Sequence, residues 1–448
     1  MKRIFAAALL CTALATPAFA QTAAPAPVTT AAPATDWTVK PEWIAAHVRF
    51  LAGPELQGRG SATRDEAIAA AYVAARFQGY GLQPAPGADS YIQKVKVIRP
   101  RLDSDPVVTV AGKAVKGATL ILGGADRAAG TAVVYAGDDT AAIPAGEVLF
   151  VSSAKLSPSA AMRAVRGKGT KLLVLRASEA TARLWDQIGK RPRLTSYLAS
   201  QPPQPGLSVI VLPAAAFDKA AKGAGKSVEM TLPGLIREEV ETTNAIGYLP
   251  GTDPKAGVIL LAAHVDHLGV QPDGTVMYGA NDDASGVAAV LELAHALSNG
   301  KRHKRGLLFA AFGAEEMGGF GSRAFAAAPP VPLTDIVANI AIEMIGAQDP
   351  KLPAGTMMMT GFERSTLGPA LAERGALVAK DPYPEQNFFE RSDNYALARR
   401  GVVAHTISGW AVTPTYHSPQ DTIANLDIPF MTRAVQSLIG PARWLADT

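Results

Sequence analysis

A few histidines and acids recur in one kind of place, directly after a run that reads as a buried strand. His264 and Asp266 follow the apolar run ending at Ala263, Glu315 and Glu316 follow Phe312-Gly313, and Glu343 closes a run ending at Ile342. Asp282 and Asp283 lie in Gly279-Ala280-Asn281-Asp282-Asp283-Ala284-Ser285-Gly286, a turn that opens a helix, and His417 lies in Tyr416-His417-Ser418-Pro419-Gln420-Asp421-Thr422. Zinc takes imidazole nitrogen and carboxylate oxygen, and a catalytic site keeps a position open for water. Two zinc ions sharing one carboxylate would use two histidines and three acids. Water on such an ion has its pKa lowered to about 7. A further carboxylate must then take the proton and hand it to a leaving amine. Adjacent glutamates suit that division, one on the metal and one facing the water. Taken singly, each residue has a plainer reading: a hydrogen-bonded histidine at a strand end, an Asp-Asp helix cap, a solvated Glu-Glu pair, a histidine in a turn. Their joint occurrence after strands favours metal. The one cysteine, Cys11, lies in the N-terminal segment that reads as a removable export signal, so the donors must come from His, Asp and Glu.

The elements that would position these residues follow from hydrophobic patterning. Val258–Ala262 and Leu307–Phe312 are continuous apolar runs, as expected of strands buried on both faces. Ile336–Ile342, Thr356–Thr360 and Val402–Ile407 read as further strands, with helices through Ala284–Leu297 and Ile428–Leu445. Asp283 can cap the first of these helices. Alternating strands and helices imply a mostly parallel sheet covered on both faces, a three-layer α/β/α fold. In such sheets ligands bind outside the C-terminal ends of the strands, where these residues fall. Nearer the start, Glu42–Leu51 and Glu66–Phe77 read as helices. From 106 to 236 the texture changes to short β-like runs separated by Gly/Pro turns, with one helix near Ser159–Val165 and no cluster of histidine with acids. This reads as a β-rich module inserted into the α/β domain.

The N-terminus reads as an export signal: Lys2 and Arg3, an apolar Ile4–Ala15 too short to span a membrane, and Ala18-Phe19-Ala20 as a cleavage site. The expected division is a signal peptide at 1–20, an Ala/Pro-rich linker at 21–36, α/β domain at 37–105, insert at 106–236, and α/β domain again at 237–448. Export, periplasmic or secreted, follows, with no stable membrane span after cleavage. At 448 residues the chain has room for two or three folded units. Apolar residues at 48% and charged residues at 18% suit large cores and exclude a disordered chain. The net charge of +4 is not gathered into a Lys/Arg run, so no nucleic-acid partner is expected.

The ordered set His-x-Asp, Asp-Asp-Ala-Ser-Gly, Glu-Glu, Asn-x-x-x-Glu-Met-Ile-Gly and Tyr-His-x-x-x-Asp-Thr resembles the di-zinc aminopeptidase family, of the bacterial leucine aminopeptidase and aminopeptidase Y type. Leu51-Ala52-Gly53-Pro54-Glu55-Leu56-Gln57-Gly58-Arg59-Gly60 is similar to that family's N-terminal signature. The resemblance covers most of 42–95 and 240–445. It implies two zinc ions per chain. Asp282 would bridge them, His264 and Glu343 would complete one site, and Glu316 and His417 the other. Glu315 would be general base and acid. Asp266 would hydrogen-bond the far nitrogen of His264. The resemblance also implies a cis peptide between Asp282 and Asp283, and gives His267 no ligand role. His47, His295, His303 and His405 match no ligand position. Glu343 stands where the aminopeptidases commonly carry Asp. Asn394, in Arg391-Ser392-Asp393-Asn394-Tyr395, stands where a His is frequent, and Asp393 would line the substrate pocket. The insert resembles a protease-associated domain, on Ala164-Val165-Arg166-Gly167-Lys168-Gly169 and Pro205–Leu212. The implied activity is removal of N-terminal residues from peptides with a free N-terminus. The rivals are a carboxypeptidase or dipeptidase of the same fold, for which Arg391, Arg399 and Arg400 could hold a substrate carboxylate, and a non-catalytic, receptor-like binding protein. Single-zinc glutaminyl cyclases share the fold, but the full donor set argues against them.

Overall fold

The computed structural model describes residues 37–153 and 155–448. The expected signal peptide, with Cys11, and the linker lie outside the described residues.

The larger sheet has ten strands. Its main path runs Tyr197–Leu198, Ile92–Leu102, Leu235–Leu249, Gly306–Phe312, Val258–His264, Ile336–Glu343, Ala404–Ser408, Met357–Met359 and Val378–Lys380, with Gln83–Pro84 paired to Leu235–Leu249. The four strands from Gly306–Phe312 to Ala404–Ser408 are parallel. The flanking pairs are antiparallel apart from Met357–Met359 with Val378–Lys380. The sheet is therefore mixed around a parallel centre, where patterning alone gives a mostly parallel one. The antiparallel share comes largely from a long ribbon, Ile92–Leu102 against Leu235–Leu249, paired from Ile92–Ala245 to Leu102–Leu235. Its half-exposed, charge-rich strands carry little of the apolar-run signal.

Every residue of Val258–His264 and Gly306–Phe312 is buried, because helices cover both faces. Ile259, Leu261 and Ala263 pack into one core with Pro41–Leu51, Arg64–Gly79, Gly286–Ser298 and Ile428–Asp447. The alternate residues Val258, Leu260 and Ala262 pack into another with Phe325 and Leu397, from Phe320–Ala327 and Asn394–Ala398. Period-two alternation sends successive side chains to opposite faces, giving the three layers. The register aligns the C-terminal ends: His264 lies beside Phe312, Ala262 beside Ala341, and Glu343 beside Ser408.

A second, nine-stranded sheet is built within residues 107–231 and has its own two cores. Three helices accompany it, Pro158–Val165, Glu179–Gln187 and Ala214–Ala221, where patterning gives one. Glu179–Gln187 fully buries only Thr181 and lays Leu184 and Trp185, half-buried, against one of these cores, while Ser178 and Thr181 form a reciprocal cap at its start. The Tyr197–Leu198 strand leaves this region and pairs with Val97 and Ile98 at the edge of the larger sheet. Among the described residues no helix is long and apolar enough to cross a membrane.

Candidate metal centre

Three strand ends and two loops converge on Asp282. Its Oδ1 lies 3.2 Å from His264 Nε2 and its Oδ2 3.2 Å from His417 Nε2. His417 Nε2 is also 3.2 Å from Glu316 Oε2. His264, Asp282 and Glu343 offer donor atoms within 4.8 Å of one another, and so do His267, Asp282 and Glu316. The five residues the sequence suggested as ligands are thus brought together, with His267 beside them. His267 Nδ1 is 3.0 Å from Glu316 Oε1 and 3.7 Å from Asp282 Oδ2.

Local hydrogen bonds explain why the chain holds this shape. The Asp282–Asp283 peptide is cis. Asp421 accepts from Asn281 N at 2.7 Å and Asp282 N at 3.0 Å, fastening the His417 loop to the aspartate turn. Asp283 caps the following helix by accepting from Gly286 N at 2.9 Å, and also accepts from His264 N at 3.2 Å and Met344 N at 3.0 Å. One buried carboxylate so ties the turn to two strand ends. Ala314, Met344 and His417 have left-handed backbone (φ 51°, 54° and 50°) at or beside site residues, a conformation that costs a non-glycine residue about 1–2 kcal/mol. Buried acceptors hold two of these in place: Glu66 takes Ala314 N at 2.9 Å, and Asp283 takes Met344 N. Gly279, at φ 64°, has no room for a side chain, since a Cβ there would lie 2.3 Å from Asp282 O and 2.5 Å from His267 Cγ.

The Asp266 carboxylate sits beside His264 and also serves the glutamate loop. It lies 3.8 Å from His264 Nδ1, beyond hydrogen-bond length, while the Asp266 backbone carbonyl lies 3.3 Å from that nitrogen. The carboxylate accepts from Glu315 N at 2.9 Å, Glu316 N at 3.2 Å and Ser61 Oγ at 2.5 Å. It therefore sets the loop that carries both glutamates.

Charge is the conspicuous property of the cluster. Burial raises the pKa of Glu315 well above the carboxylate range, and Glu343, Asp393 and Glu316 add to it. Burial likewise raises Glu343 and brings Asp393 up to about 7. Burial would lower His264, but Asp283, Asp266 and Asp282 outweigh it and hold that imidazole well above its usual value. His417 goes up to about 10: Asp282 and Glu316 overcome its burial. Burial would raise Asp282, but His264, His417 and His267 hold it well below. His264 Nε2, both nitrogens of His267, Asp282 Oδ2, Glu316 Oε1 and His417 Nε2 are buried with no hydrogen-bond partner. Buried polar atoms are ordinarily paired. Nitrogens and oxygens that approach to about 3 Å without forming hydrogen bonds suit cations placed between them, and an N/O donor set suits zinc. The residues fit the metal that the motifs imply.

Glu315 and Glu316 line a cavity of about 660 Å³, which gives a substrate access. Asp393 is buried, with Oδ1 unpartnered. Asn394 bonds Phe389 O and Thr406 Oγ1 and serves packing. His47, His303 and His405 are held by Tyr72 and Glu292, by Asp447 and Leu297 O, and by Ser365 and Thr360 O, while His295 stacks on Tyr80. These four are structural. Sequence reasoning gave no role to Arg59, which is fully buried and donates to the carbonyls of Leu51, Val265, Tyr278 and Gly279 at 2.7–2.9 Å. Nor did it give one to Glu66. The Gly-Arg-Gly turn and the N-terminal signature pointed to that region, but a buried guanidinium leaves no periodic trace.

Residues 244–439 match the model of peptidase family M28. A probable lipoprotein aminopeptidase, LpqL, of Mycobacterium tuberculosis is 36% identical over 100 residues, 22% of this chain and 19% of that protein. Leupeptin-inactivating enzyme 1 of Streptomyces exfoliatus is 28% identical over 199 residues, 41% of this chain and 44% of that one. The matched stretches thus span less than half of either relative. Among solved structures, an aminopeptidase from Aneurinibacillus sp. strain AM-1 superposes with a TM-score of 0.57 at 18% identity, over 91% of this chain and 94% of that one. BSAP, a zinc aminopeptidase from Bacillus subtilis, gives 0.53 at 16%, over 92% and 96%. The larger fold is therefore shared with these structures. The donor residues His264, Asp282, Glu316, Glu343 and His417 all lie inside the matched span, so this part of the chain resembles peptidase family M28.

Proposed function

We propose that this protein is an exported, zinc-dependent aminopeptidase that hydrolyses the first peptide bond of substrates with a free N-terminus. The observation that carries the reading is Asp282, set 3.2 Å from both His264 and His417, with its Oδ2 otherwise unpartnered. Asp282 would be shared between two zinc sites. His264 and Glu343 complete the first, and Glu316 and His417 the second. His267 joins the second as a fourth donor, on the strength of its distances to Glu316 and Asp282. Bound zinc would polarise the scissile carbonyl and make water more acidic. Glu315 takes the proton from the attacking water and returns it to the departing amine, a role that suits a buried carboxyl with a raised pKa. Asp266 positions Glu315 and Glu316 through their backbone N–H groups. The substrate's amine would lie by the His264/Glu343 site.

Export rests on the N-terminal sequence and on the likeness to a lipoprotein aminopeptidase. The region 106–236 would be an inserted, protease-associated-like module that walls the cleft. In support, Gln201, just past the Tyr197–Leu198 strand, lines the cavity that holds Glu315. The test is hydrolysis of aminoacyl-nitroanilides by the purified protein with and without chelator. Activity that chelator abolishes and zinc restores is expected. Hydrolysis of N-acetylated peptides only would overturn the reading.

A further inference from the structure

The cavity of about 660 Å³ that contains Glu315 and Glu316 is also lined by Arg323, Arg391, Arg399 and Arg400. They come from separate places: Arg323 from the helix Phe320–Ala327, Arg391 from the turn after Phe388–Glu390, and Arg399 and Arg400 from the end of the helix Asn394–Ala398. What fixes each is neutral. The guanidinium of Arg323 lies 4.9 Å from the ring of Phe320, that of Arg391 4.9 Å from Phe388, and that of Arg399 5.9 Å from Tyr395. Arg400 donates to the carbonyl of Ala326 at 2.6 Å. Ring faces and a carbonyl orient a guanidinium but leave its charge uncompensated. The one other acid beside the two site glutamates in the lining is the exposed Glu390, and no ion pair joins it to these arginines among the described residues. The arginines also feel one another: burial and the nearby Arg399 both lower the pKa of Arg323.

Four arginines, solvent-exposed like Glu390 and without ion-pair partners among the described residues, gather around one cleft, raise its positive potential and favour an anion there. Guanidinium matches a carboxylate with two parallel N–H donors. The proposed reaction cleaves a peptide whose amine end faces the metal centre, so the remainder of the substrate extends into the cavity. We propose that this basic wall is a substrate subsite for a carboxylate on the leaving-group side of the scissile bond, so that the preferred substrates are short peptides bearing one there. The carboxylate can be the C-terminus of a di- or tripeptide or the side chain of an acidic residue; both offer the same chemistry to the arginines. This inference rests on the aminopeptidase reading and adds a substrate class to it.

The test uses the zinc-loaded full chain and three matched peptide sets: leucyl di- and tripeptides with a free C-terminus, the same peptides as C-terminal amides, and tripeptide amides with Glu or Gln at the second or third position. A single charge-assisted hydrogen bond corresponds to roughly tenfold or more in binding. Wild-type kcat/KM is therefore expected to favour free acid over amide, or Glu over Gln, by at least about tenfold, and to lose that preference as salt is raised. A preference confined to free acids assigns the site to the C-terminus; one shared by Glu amides assigns it to carboxylates in general. In an Arg391→Gln/Arg399→Gln variant the acid-to-amide ratio should fall toward one, with the change mostly in KM. Equal wild-type rates on acids and amides and, among the tripeptide amides, on Glu and Gln would overturn the subsite and leave the aminopeptidase reading standing. Failure to cleave any of the peptides would overturn both.

Discussion

Replacing His267 with Gln tests how the proposed second metal site is built. Four side chains offer donors there: His267 Nδ1, Asp282 Oδ2, Glu316 and His417 Nε2, with separations of 3.0–3.7 Å. The imidazole is fully buried, and both its nitrogens lack hydrogen-bond partners. Its ring is packed so closely against Gly279 that a Cβ there would come within 2.5 Å, so it is already oriented before any metal arrives. A four-donor zinc site is worth about 10–16 kcal/mol, or roughly 2.5–4 kcal/mol per donor if shared equally, which corresponds to about 10²–10³-fold in affinity. The His267→Gln protein should therefore hold one zinc nearly as the wild type does, at His264, Asp282 and Glu343, and the second about 10²–10³-fold more weakly. Competition against a chromophoric chelator resolves the two dissociation constants. The cobalt-substituted protein adds a spectroscopic check, since loss of one imidazole changes the visible bands of one ion. Retention of the first ion shows that the variant is folded. If both dissociation constants match wild type, His267 is a buried spectator and the four-donor reasoning fails.

Two other substitutions separate chemistry from framework. Glu315→Gln should keep both metal ions by elemental analysis yet lose about 10²–10⁴ in kcat on an aminoacyl-nitroanilide, the usual share of general acid–base catalysis; near-normal turnover would remove Glu315 from the proton transfer. Arg59→Met should leave four backbone carbonyls without their donor and uncover the negative charge of Asp266, Asp282, Asp283 and Asp421. About 3–5 kcal/mol of stability should be lost, by analogy with breaking a buried charge pair, read as a fall in the urea midpoint. A loss under about 1 kcal/mol would show that other groups hold this backbone.

The sequence spoke most clearly where burial is uniform. Val258–Ala263 and Leu307–Phe312 are apolar throughout because both of their faces are covered, and the motif residues could be placed directly after them. It spoke less clearly along Ile92–Leu102 and Leu235–Leu249, where exposed charged residues alternate irregularly with apolar ones, and at Glu179–Gln187, which fully buries a single residue. The five suggested ligands do meet. Sequence spacing says that the Asp266 carboxylate lies near His264, but not which N–H groups compete for its oxygens. His267 was set aside for a similar reason: a histidine one residue past Asp266 gains meaning only when Glu316, about fifty positions later, turns out to lie against it.

These buried acids divide into two kinds, and the division joins the fold to the reaction. Glu66, Asp266, Asp283 and Asp421 each accept two or more backbone N–H groups: from Ala62 and Ala314, from Glu315 and Glu316, from His264, Gly286 and Met344, and from Asn281 and Asp282. They anchor the turns on which the site residues stand, and their oxygens are occupied. Asp282 Oδ2 and Glu316 Oε1 are buried but accept nothing. A carboxylate stripped of water and given no N–H in return costs several kcal/mol unless a cation compensates it. The framework acids thus hold their unsatisfied neighbours in an arrangement that only positive charge can stabilise. Metal binding is therefore expected to be coupled to the order of the His417 loop, because Asp421 fastens that loop to the Asp282 turn.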